Sequence, residues 1–271
     1  MVQLQQDDYG NVLPLYQAEG GCFPLILSVI QQKQNGWIFV DDAKKPSFAL
    51  ILTKFGFVYL VGAKADDDFD DAVVHFLEIP KDHLPSYLLW YSPSLRWQKK
   101  LNKLPASLIR YRERIRFQFD RHNADYLGAE LRCPPGFEIK LLDSDLLTVA
   151  SKFGVGIDSK FWASADDFLT NGVGVCILKD GEILSLCYSA CIVDGLAEVD
   201  VITLPEHRGR GLSRIVSQRF IMECLQRNVI PTWDCFANNE ASVRLAQSLG
   251  FVKLHDYSFY TFNVPIALTD N

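Results

Sequence analysis

The 271-residue chain contains no apolar run near the roughly 20 residues that a membrane-spanning helix requires. Its first segment carries Asp7 and Asp8 and no basic residue, so the charged start of a signal peptide is missing as well. A cytoplasmic protein with no membrane partner is the expectation. Basic charge is not in excess either: 27 Lys and Arg stand against 33 Asp and Glu, a formal net charge of −6. That balance argues against bulk attraction to nucleic acid and mildly favours a cationic amine as substrate. The seven cysteines, Cys22, Cys133, Cys176, Cys187, Cys191, Cys224 and Cys235, are odd in number and include no Cys-x-x-Cys pair, so neither a disulfide framework nor a zinc site is expected. Most sit in apolar stretches such as Val175-Cys176-Ile177, where cysteine behaves as a small buried hydrophobe. The acidic run from Asp66 to Asp71 fails as an EF-hand loop, because Asp71 falls where glycine is needed and Leu77 where glutamate is needed. It reads as a helix start, and no metal is expected.

Apolar residues are plentiful, at 48%, which excludes a disordered chain, and the length exceeds that of an ordinary single domain. Two modules are expected, residues 1–125 and 126–271. The boundary lies between Asn123 and Gly136, where Cys133-Pro134-Pro135-Gly136 is unsuited to regular structure.

The segment from Glu198 to Phe251 carries the most information. It reads as a strand ending in Thr203-Leu204-Pro205, a turn Arg208-Gly209-Arg210-Gly211-Leu212-Ser213, and a helix with apolar positions Leu212, Ile215, Val216 and Phe220. Two glycines at a helix start let the backbone turn tightly and aim several N–H groups at one point, where the positive helix end favours an anion such as a pyrophosphate. A glycine-rich turn by itself often serves turn geometry alone. Here it is followed by a short strand, Pro231 to Phe236, and by Asn239-Glu240-Ala241-Ser242 opening a last helix that stops at Gly250.

This ordered set resembles the GCN5-related N-acetyltransferase (GNAT) superfamily. The family's Arg/Gln-x-x-Gly-x-Gly/Ala cradle for the acetyl-CoA pyrophosphate is matched by Arg208-x-x-Gly211-x-Ser213, with serine at the last position. Asn239-x-x-Ser242-x-x-Leu245 and Leu249-Gly250-Phe251 resemble its last helix and exit. Phe161-Trp162, Asp167-Phe168, Asn171-Gly172, Glu198-Val199-Asp200 and Pro231-x-Trp233-Asp234-Cys235 are similar to the branch typified by zwittermicin A resistance acetyltransferases. The resemblance implies an α/β (α+β) protein whose C-terminal GNAT fold has a mixed, mostly antiparallel sheet flanked by helices. It implies an acetyl-CoA-dependent N-acetyltransferase acting on a primary amine of a small molecule by direct transfer. A catalytically inactive acyl-CoA-binding regulatory module and a protein or peptide N-acetyltransferase remain the alternatives.

An amine is mostly protonated at neutral pH, so a base or a water relay must remove a proton before it attacks a thioester. The family often places a carboxylate on the strand before the turn. Glu198 and Asp200, two apart and on one face of that strand, are the first and second candidates. One of them could instead bind a cationic substrate or pair with an arginine of the N-terminal module. Backbone groups of Ile202, Thr203 and Leu204 match positions that hold the acetyl carbonyl and the pantetheine arm, and Arg208, Gly209, Arg210, Gly211, Leu212, Ser213, Asn239 and Ser242 complete the cofactor set. Asn239 could also simply cap the last helix. The tyrosine that many relatives place seven residues after that asparagine is Ala246 here; Tyr257, Tyr260 or Ser242 could take its place as acid, with Tyr260 the one selected, or the thiolate could leave unaided. Phe161, Trp162 and Phe168 are candidate walls of the acceptor site, although aromatic residues at such spacing more often form core.

The N-terminal module shows three short strands, Trp37 to Val40, Phe48 to Leu52 and Phe57 to Val61, and then a helix from about Asp70 to Leu77. It has no Arg-Gly-x-Gly turn, so a degenerate copy of the GNAT core is one reading of it, and such a copy would not bind CoA in the same way. In the basic stretch from Arg96 to Arg116, Arg110, Arg112, Arg114 and Arg116 alternate with apolar residues. The expectation is a strand with a solvated face, the alternative a contact to the 3′-phosphate of CoA or to nucleic acid.

Overall fold

The computed structural model describes residues 1–21, 23–62, 71–73, 75, 87–107, 109–124, 133–151 and 156–263. The acidic run before Asp71, most of the expected helix from Asp70 to Leu77, residues 125–132 of the expected linker and the end of the last strand at Val264 lie outside the described residues.

The chain divides into two compact units: Met1–Arg112 with the chain from Ser258 onward, and Glu113–Tyr257. The expected boundary near residue 125 therefore differs from the observed one. The reason is a single strand, Ile109–Phe119, whose residues from Glu113 on pair within the second unit, while the end of the chain returns to the first.

In the first unit, β1 (Val2–Gln3), β2 (Gly36–Val40), β3 (Phe48–Thr53) and β4 (Phe57–Gly62) form an antiparallel run, followed by β5 (Tyr87–Tyr91) and then the end of the last strand. β4 and β5 are parallel, with Phe57, Val58 and Tyr59 opposite Leu89, Trp90 and Tyr91. Tyr16 of helix α1 (Leu13–Ala18) and Phe23, the residue just before helix α2 (Pro24–Ile30), make edge-on contact with Tyr59 at ring centroid distances of 5.4 and 5.8 Å. Helix α3 (Leu95–Leu101) buries Trp97 and Leu101 beside Val58, Leu60 and Trp90.

The second unit holds β6 (Ile109–Phe119, from Glu113), β7 (Glu138–Leu141), α4 (Ser144–Ser151), α5 (Ile157–Lys160), α6 (Ala165–Asn171), β8 (Gly174–Lys179), β9 (Glu182–Val193), β10 (Leu196–Thr203), α7 (Leu212–Gln226), β11 (Ile230–Phe236), α8 (Glu240–Ser248) and the start of β12 (Phe251–Asn263). Its strand order is β12-β6-β11-β10-β9-β8-β7, and β10 and β11 form the parallel pair. This is the mixed, mostly antiparallel sheet flanked by helices that the sequence implies. The final segment differs in one respect: the aromatic strand expected from Tyr257 begins at Phe251, directly after the helix stop, and forms one 13-residue strand. Helix α7 lays Leu212, Val216, Phe220, Ile221 and Cys224 against Val175, Ile177, Cys187 and Trp233. Each such buried side chain contributes about 1.5–3 kcal/mol relative to exposure, so this face fixes α7, and with it the turn before it, on the sheet. Five of the six described cysteines are buried, as small hydrophobes would be, and Cys133 is exposed.

Both units run from antiparallel strands into one parallel pair. The third rung of that pair is Tyr59 opposite Tyr91 in the first unit and Glu198 opposite Thr232 in the second. Two residues further on, the first unit has a fully buried Val61 where the second has Asp200. The first unit thus repeats the strand order without the carboxylates.

Candidate active site

The parallel pairing of β10 and β11 covers Leu196, Ala197 and Glu198 opposite Ile230, Pro231 and Thr232, and ends there. Beyond that rung the strands part, and a cavity of about 190 Å³ opens between Val199, Asp200 and Val201 on one side and Trp233, Asp234 and Phe236 on the other. A second cavity, of about 420 Å³, continues from Val201 along the start of α7. Val201, Asn239 and Ser242 line both, so the two spaces meet at the start of α8.

The larger cavity collects most of the residues expected to hold the cofactor: Ile202, Thr203, Arg208, Gly209, Gly211, Leu212, Ser213, Asn239 and Ser242 line it, and His207, which sequence reasoning missed, joins them. Leu204 and Arg210 do not line it. The Leu204 N–H donates to the Leu184 carbonyl at 3.0 Å, so it belongs to the β9–β10 ladder. Strand alternation turns Ile202 the same way and turns the Thr203 backbone to the side where β11 has departed. Gly209 and Gly211 have φ of +75° and +76°, a left-handed conformation that side chains with a Cβ rarely adopt. A Cβ built on either would meet no protein atom within 4 Å, so what lies in front of the turn is open space. No acceptor among the described residues takes the N–H groups of Gly209, Gly211, Leu212 or Ser213. Several unpaired donors at the positive end of a 15-residue helix, facing an open cavity, fit a pyrophosphate.

Asn239 does two things. Its Oδ1 accepts the Ser242 N–H at 3.2 Å, capping α8, and its side of the helix start lines both cavities. Ser242 Oγ accepts from Trp233 Nε1 at 3.0 Å. Ala246, the position of the expected tyrosine, is fully buried in the core.

The two strand carboxylates share a face, as alternation requires, yet meet different surroundings. Glu198, only 6% exposed, does not line either cavity. Its oxygens accept from Arg116 at 2.9 and 3.1 Å and from Thr232 Oγ1 at 2.9 Å. Burial pushes its carboxyl above the ordinary value, against the Arg116 guanidinium that pulls it down. Asp200 is half-buried and lines the smaller cavity. Burial raises its carboxyl as well, opposed by Lys160, by the Tyr188 hydroxyl that donates to Oδ2 at 2.8 Å, and by the Val201 N–H.

The basic strand is not a solvated face along its whole length. Arg110 and Arg112 are exposed, but Arg116 is 2% exposed and bonds Glu198 and Asp234, while Arg114 donates to the Asp234 carboxylate and, at 3.1 Å, to its carbonyl. Tyr257 Oη donates to Asp234 Oδ2 at 2.7 Å. Of the two strand carboxylates, the one that pairs with an arginine is therefore Glu198, and its partner Arg116 belongs to the second unit. The 3′-phosphate contact is not served by Arg114 and Arg116, whose charges meet carboxylates.

The candidate acceptor walls are core. Phe161, Trp162 and Phe168 are 7%, 5% and 1% exposed and line neither cavity. Trp162 Nε1 donates to the Ser189 carbonyl at 2.9 Å, its ring stacks edge-on with Phe168, and Phe161 packs on Tyr188. They stand behind the cavity wall. Tyr260 belongs to the first unit, where its hydroxyl bonds Asn102 Oδ1 at 3.2 Å. Among the described residues no group of side chains is arranged to hold a metal ion, and no helix is long and apolar enough to cross a membrane.

Comparison with known proteins points the same way. A protein from Bacillus subtilis (strain 168) named as an uncharacterized N-acetyltransferase, YdfB, is 28% identical over 258 residues, covering 95% of this chain and 97% of its own length. The crystal structure of a GCN5-related N-acetyltransferase-like protein from Streptococcus suis has a TM-score of 0.75 at 22% identity, over 94% of this chain and 98% of its own. A tandem GNAT protein from the clavulanic acid biosynthesis pathway has a TM-score of 0.65 at 13% identity, over 96% of each chain. At those identities the two structures speak for the fold, and the second for its two-unit arrangement. The model of the GNAT acetyltransferase family matches residues 19–260, and with most of its length so matched the chain belongs to that family.

Proposed function

We propose that this acetyltransferase moves an acetyl group from acetyl-CoA to a primary amine of a small molecule, with Asp200 as the base. The observation that carries the reading is the junction of two cavities where β10 and β11 part, one bounded by the unpaired N–H groups around Gly211 and the other by the half-buried Asp200. Acetyl-CoA supplies the activated acyl group. The turn from Arg208 to Ser213 holds its pyrophosphate, the Thr203 backbone and Asn239 border its arm, and the Asp200 carboxylate takes the proton of the attacking amine. A raised carboxyl is a better base than an ordinary one, which is why burial suits Asp200 to this role. Glu198, held by Arg116, keeps the strands in register rather than accepting the proton. The proton donor for the departing thiol is not at position 246; an ordinary thiol pKa of about 8.5 lets a thiolate leave unaided.

The smaller cavity, about 190 Å³, suits a small amine better than a peptide. The likeness to the zwittermicin-resistance branch favours an aminated antibiotic or metabolite, and the acidic balance of the chain favours a cationic one in a cytoplasmic setting, with neither nucleic acid nor membrane as partner. Ala246 favours a second reading, a regulatory module that binds acyl-CoA without turnover.

Thiol release from acetyl-CoA with a panel of polyamines and amino sugars separates the two. Amine-dependent release, lowered about a hundredfold or more in Asp200→Asn and far less in Glu198→Gln, supports the transferase and its base. Tight acetyl-CoA binding without release for any amine would support the module. The same variant carries a stability signature. Because the native Asp200 carboxyl is raised above its ordinary 3.8, the folded state holds that proton more tightly than the unfolded chain. Its contribution to stability is present below the unfolded value and is lost as pH rises through the native one. Asp200→Asn is therefore expected to gain thermal stability over the wild type at pH 8 and not at pH 4, measured by melting at the two pH values.

A further inference from the structure

β9 and β10 are joined by the turn Asp194-Gly195, and the register counts out evenly at first: Val193 faces Leu196, Ile192 faces Ala197 and Cys191 faces Glu198. An unbroken ladder would go on to set Ser189 opposite Asp200 and Tyr188 opposite Val201. The ladder instead slips by one between Glu198 and Val199, with Ala190 as the extra residue, and Tyr188 stands directly opposite Asp200. Directly opposed side chains of an antiparallel pair share a face, so the bulge is what brings the phenol to the carboxylate.

The slipped segment is held from behind. Trp162 Nε1 donates to the Ser189 carbonyl at 2.9 Å, the Ser189 N–H donates to the Val173 carbonyl at 2.8 Å, and Ser189 Oγ accepts the Val173 N–H at 2.9 Å. The Phe161 ring packs on Tyr188 at 6.2 Å between centroids. Tyr188 is 1% exposed and lines neither cavity, so it acts on the reaction only through what it bonds, Asp200 Oδ2 at 2.8 Å.

We propose that Tyr188, set in place by the bulge at Ala190, is the positioning residue of the base: it fixes one oxygen of Asp200 and leaves the other for the proton of the acceptor amine. The inference rests on the assignment of Asp200 as base. The groups around that carboxylate are Tyr188 and Cys187 from β9, Lys160 from α5, Arg114 from β6, and the Val201 N–H of its own strand. A hydrogen bond to the ionised form favours that form, so its loss lets burial push the carboxyl further up.

The test is a double-mutant cycle of Tyr188→Phe and Asp200→Asn, read by kcat/KM against pH and, independently of turnover, by carbon-13 NMR titration of the aspartate carboxyls, with the Asp200 signal assigned by its absence in Asp200→Asn. Tyr188→Phe is expected to move both the acid limb and the Asp200 titration up by about one pH unit, about tenfold in rate below the limb. The acetyl-CoA Kd should stay unchanged, and the Asp200→Asn background should show no further loss. Equal losses in both backgrounds, or an unmoved titration, would overturn the positioning role. Unchanged turnover in Asp200→Asn would instead overturn the base assignment, while the titration still reports whether the phenol holds the carboxylate. Fluorinated tyrosine at position 188, a stronger donor of nearly the same size, should move the titration down; a shift up, or none, would overturn the proposal even if Tyr188→Phe failed to fold.

Discussion

Gly211→Glu is expected to abolish acetyl-CoA binding while leaving the fold in place. Gly211 sits at φ +76° as the residue before the first turn of α7. A side chain there costs about 1–2 kcal/mol in backbone strain, which a domain of ordinary stability survives. An added Cβ would touch no protein atom within 4 Å, so the new side chain enters the cavity space in front of the turn and disturbs little else. A glutamate carboxylate roughly 4 Å from a phosphate group costs about 4 kcal/mol at an effective dielectric of 20, close to a thousandfold in Kd. Gly211→Gln shares the strain and the bulk but not the charge. Calorimetric titration of acetyl-CoA should rank wild type, glutamine and glutamate in falling affinity, with melting temperatures of the two variants alike. Equal affinity in all three proteins would mean that the turn does not hold the pyrophosphate.

The turn was legible in the sequence because its determinants are local. Glycines at positions that need positive φ, an apolar stripe at helical spacing and an asparagine that caps α8 all act within a few residues of one another, and Gly250 ends the last helix at φ +90° as its place predicts. The determinants of the β8–β9 hairpin are equally local, with Asp180 and Gly181 both at positive φ between Lys179 and Glu182. What stayed hidden depends on partners far along the chain. Arg114 and Arg116 alternate with apolar residues as a solvated strand face would, and nothing near them announces that Asp234 lies 118 to 120 residues away or Glu198 82 residues away. The bulge at Ala190 is equally silent: Leu-Cys-Tyr-Ser-Ala-Cys-Ile reads as an even strand, and only pairing with β10 shows where the register slips. Phe161 and Trp162 could be read as walls of a site because aromatic residues suit both walls and cores; the Ser189 carbonyl that accepts the indole N–H decides it. The division of the chain was misplaced because a proline-rich stretch signals the absence of regular structure, whereas the units are separated by which sheet a strand joins.

Arg116→Leu is expected to destabilise the protein by about 3–5 kcal/mol, the usual result of removing one partner from a buried ion pair. Arg116 is 2% exposed and spans three strands: from β6 it reaches across β11, bonding Asp234, to Glu198 on β10. Its loss leaves two carboxylates, at 7% and 6% side-chain exposure, with one guanidinium between them, that of Arg114. The penalty follows from desolvation more than from lost attraction, so its pH dependence has a definite sign. The Glu198 carboxyl is already raised by burial and rises further without Arg116, so its protonated form is favoured in the folded state. Stability from such a group is present at low pH and lost as pH rises through its native value, hence the deficit of the variant should be larger at pH 8 than at pH 5. Adding Glu198→Gln removes the charge that Arg116 had balanced, and the double variant should melt above Arg116→Leu alone at pH 8. If the single variant melted like the wild type at both pH values, the network would have no part in holding the strands. The position of the network gives it a functional consequence as well: Glu198 and Thr232 form the last rung before β10 and β11 separate, and Thr232 Oγ1 bonds Glu198 directly. Charges that lock this rung fix where the cleft begins. Asp200, two residues beyond, then projects into the cavity from a strand whose register cannot drift, and the proposed base keeps its distance from the proposed pyrophosphate turn because an ion pair deeper in the sheet holds the strand that carries the one and leads into the other.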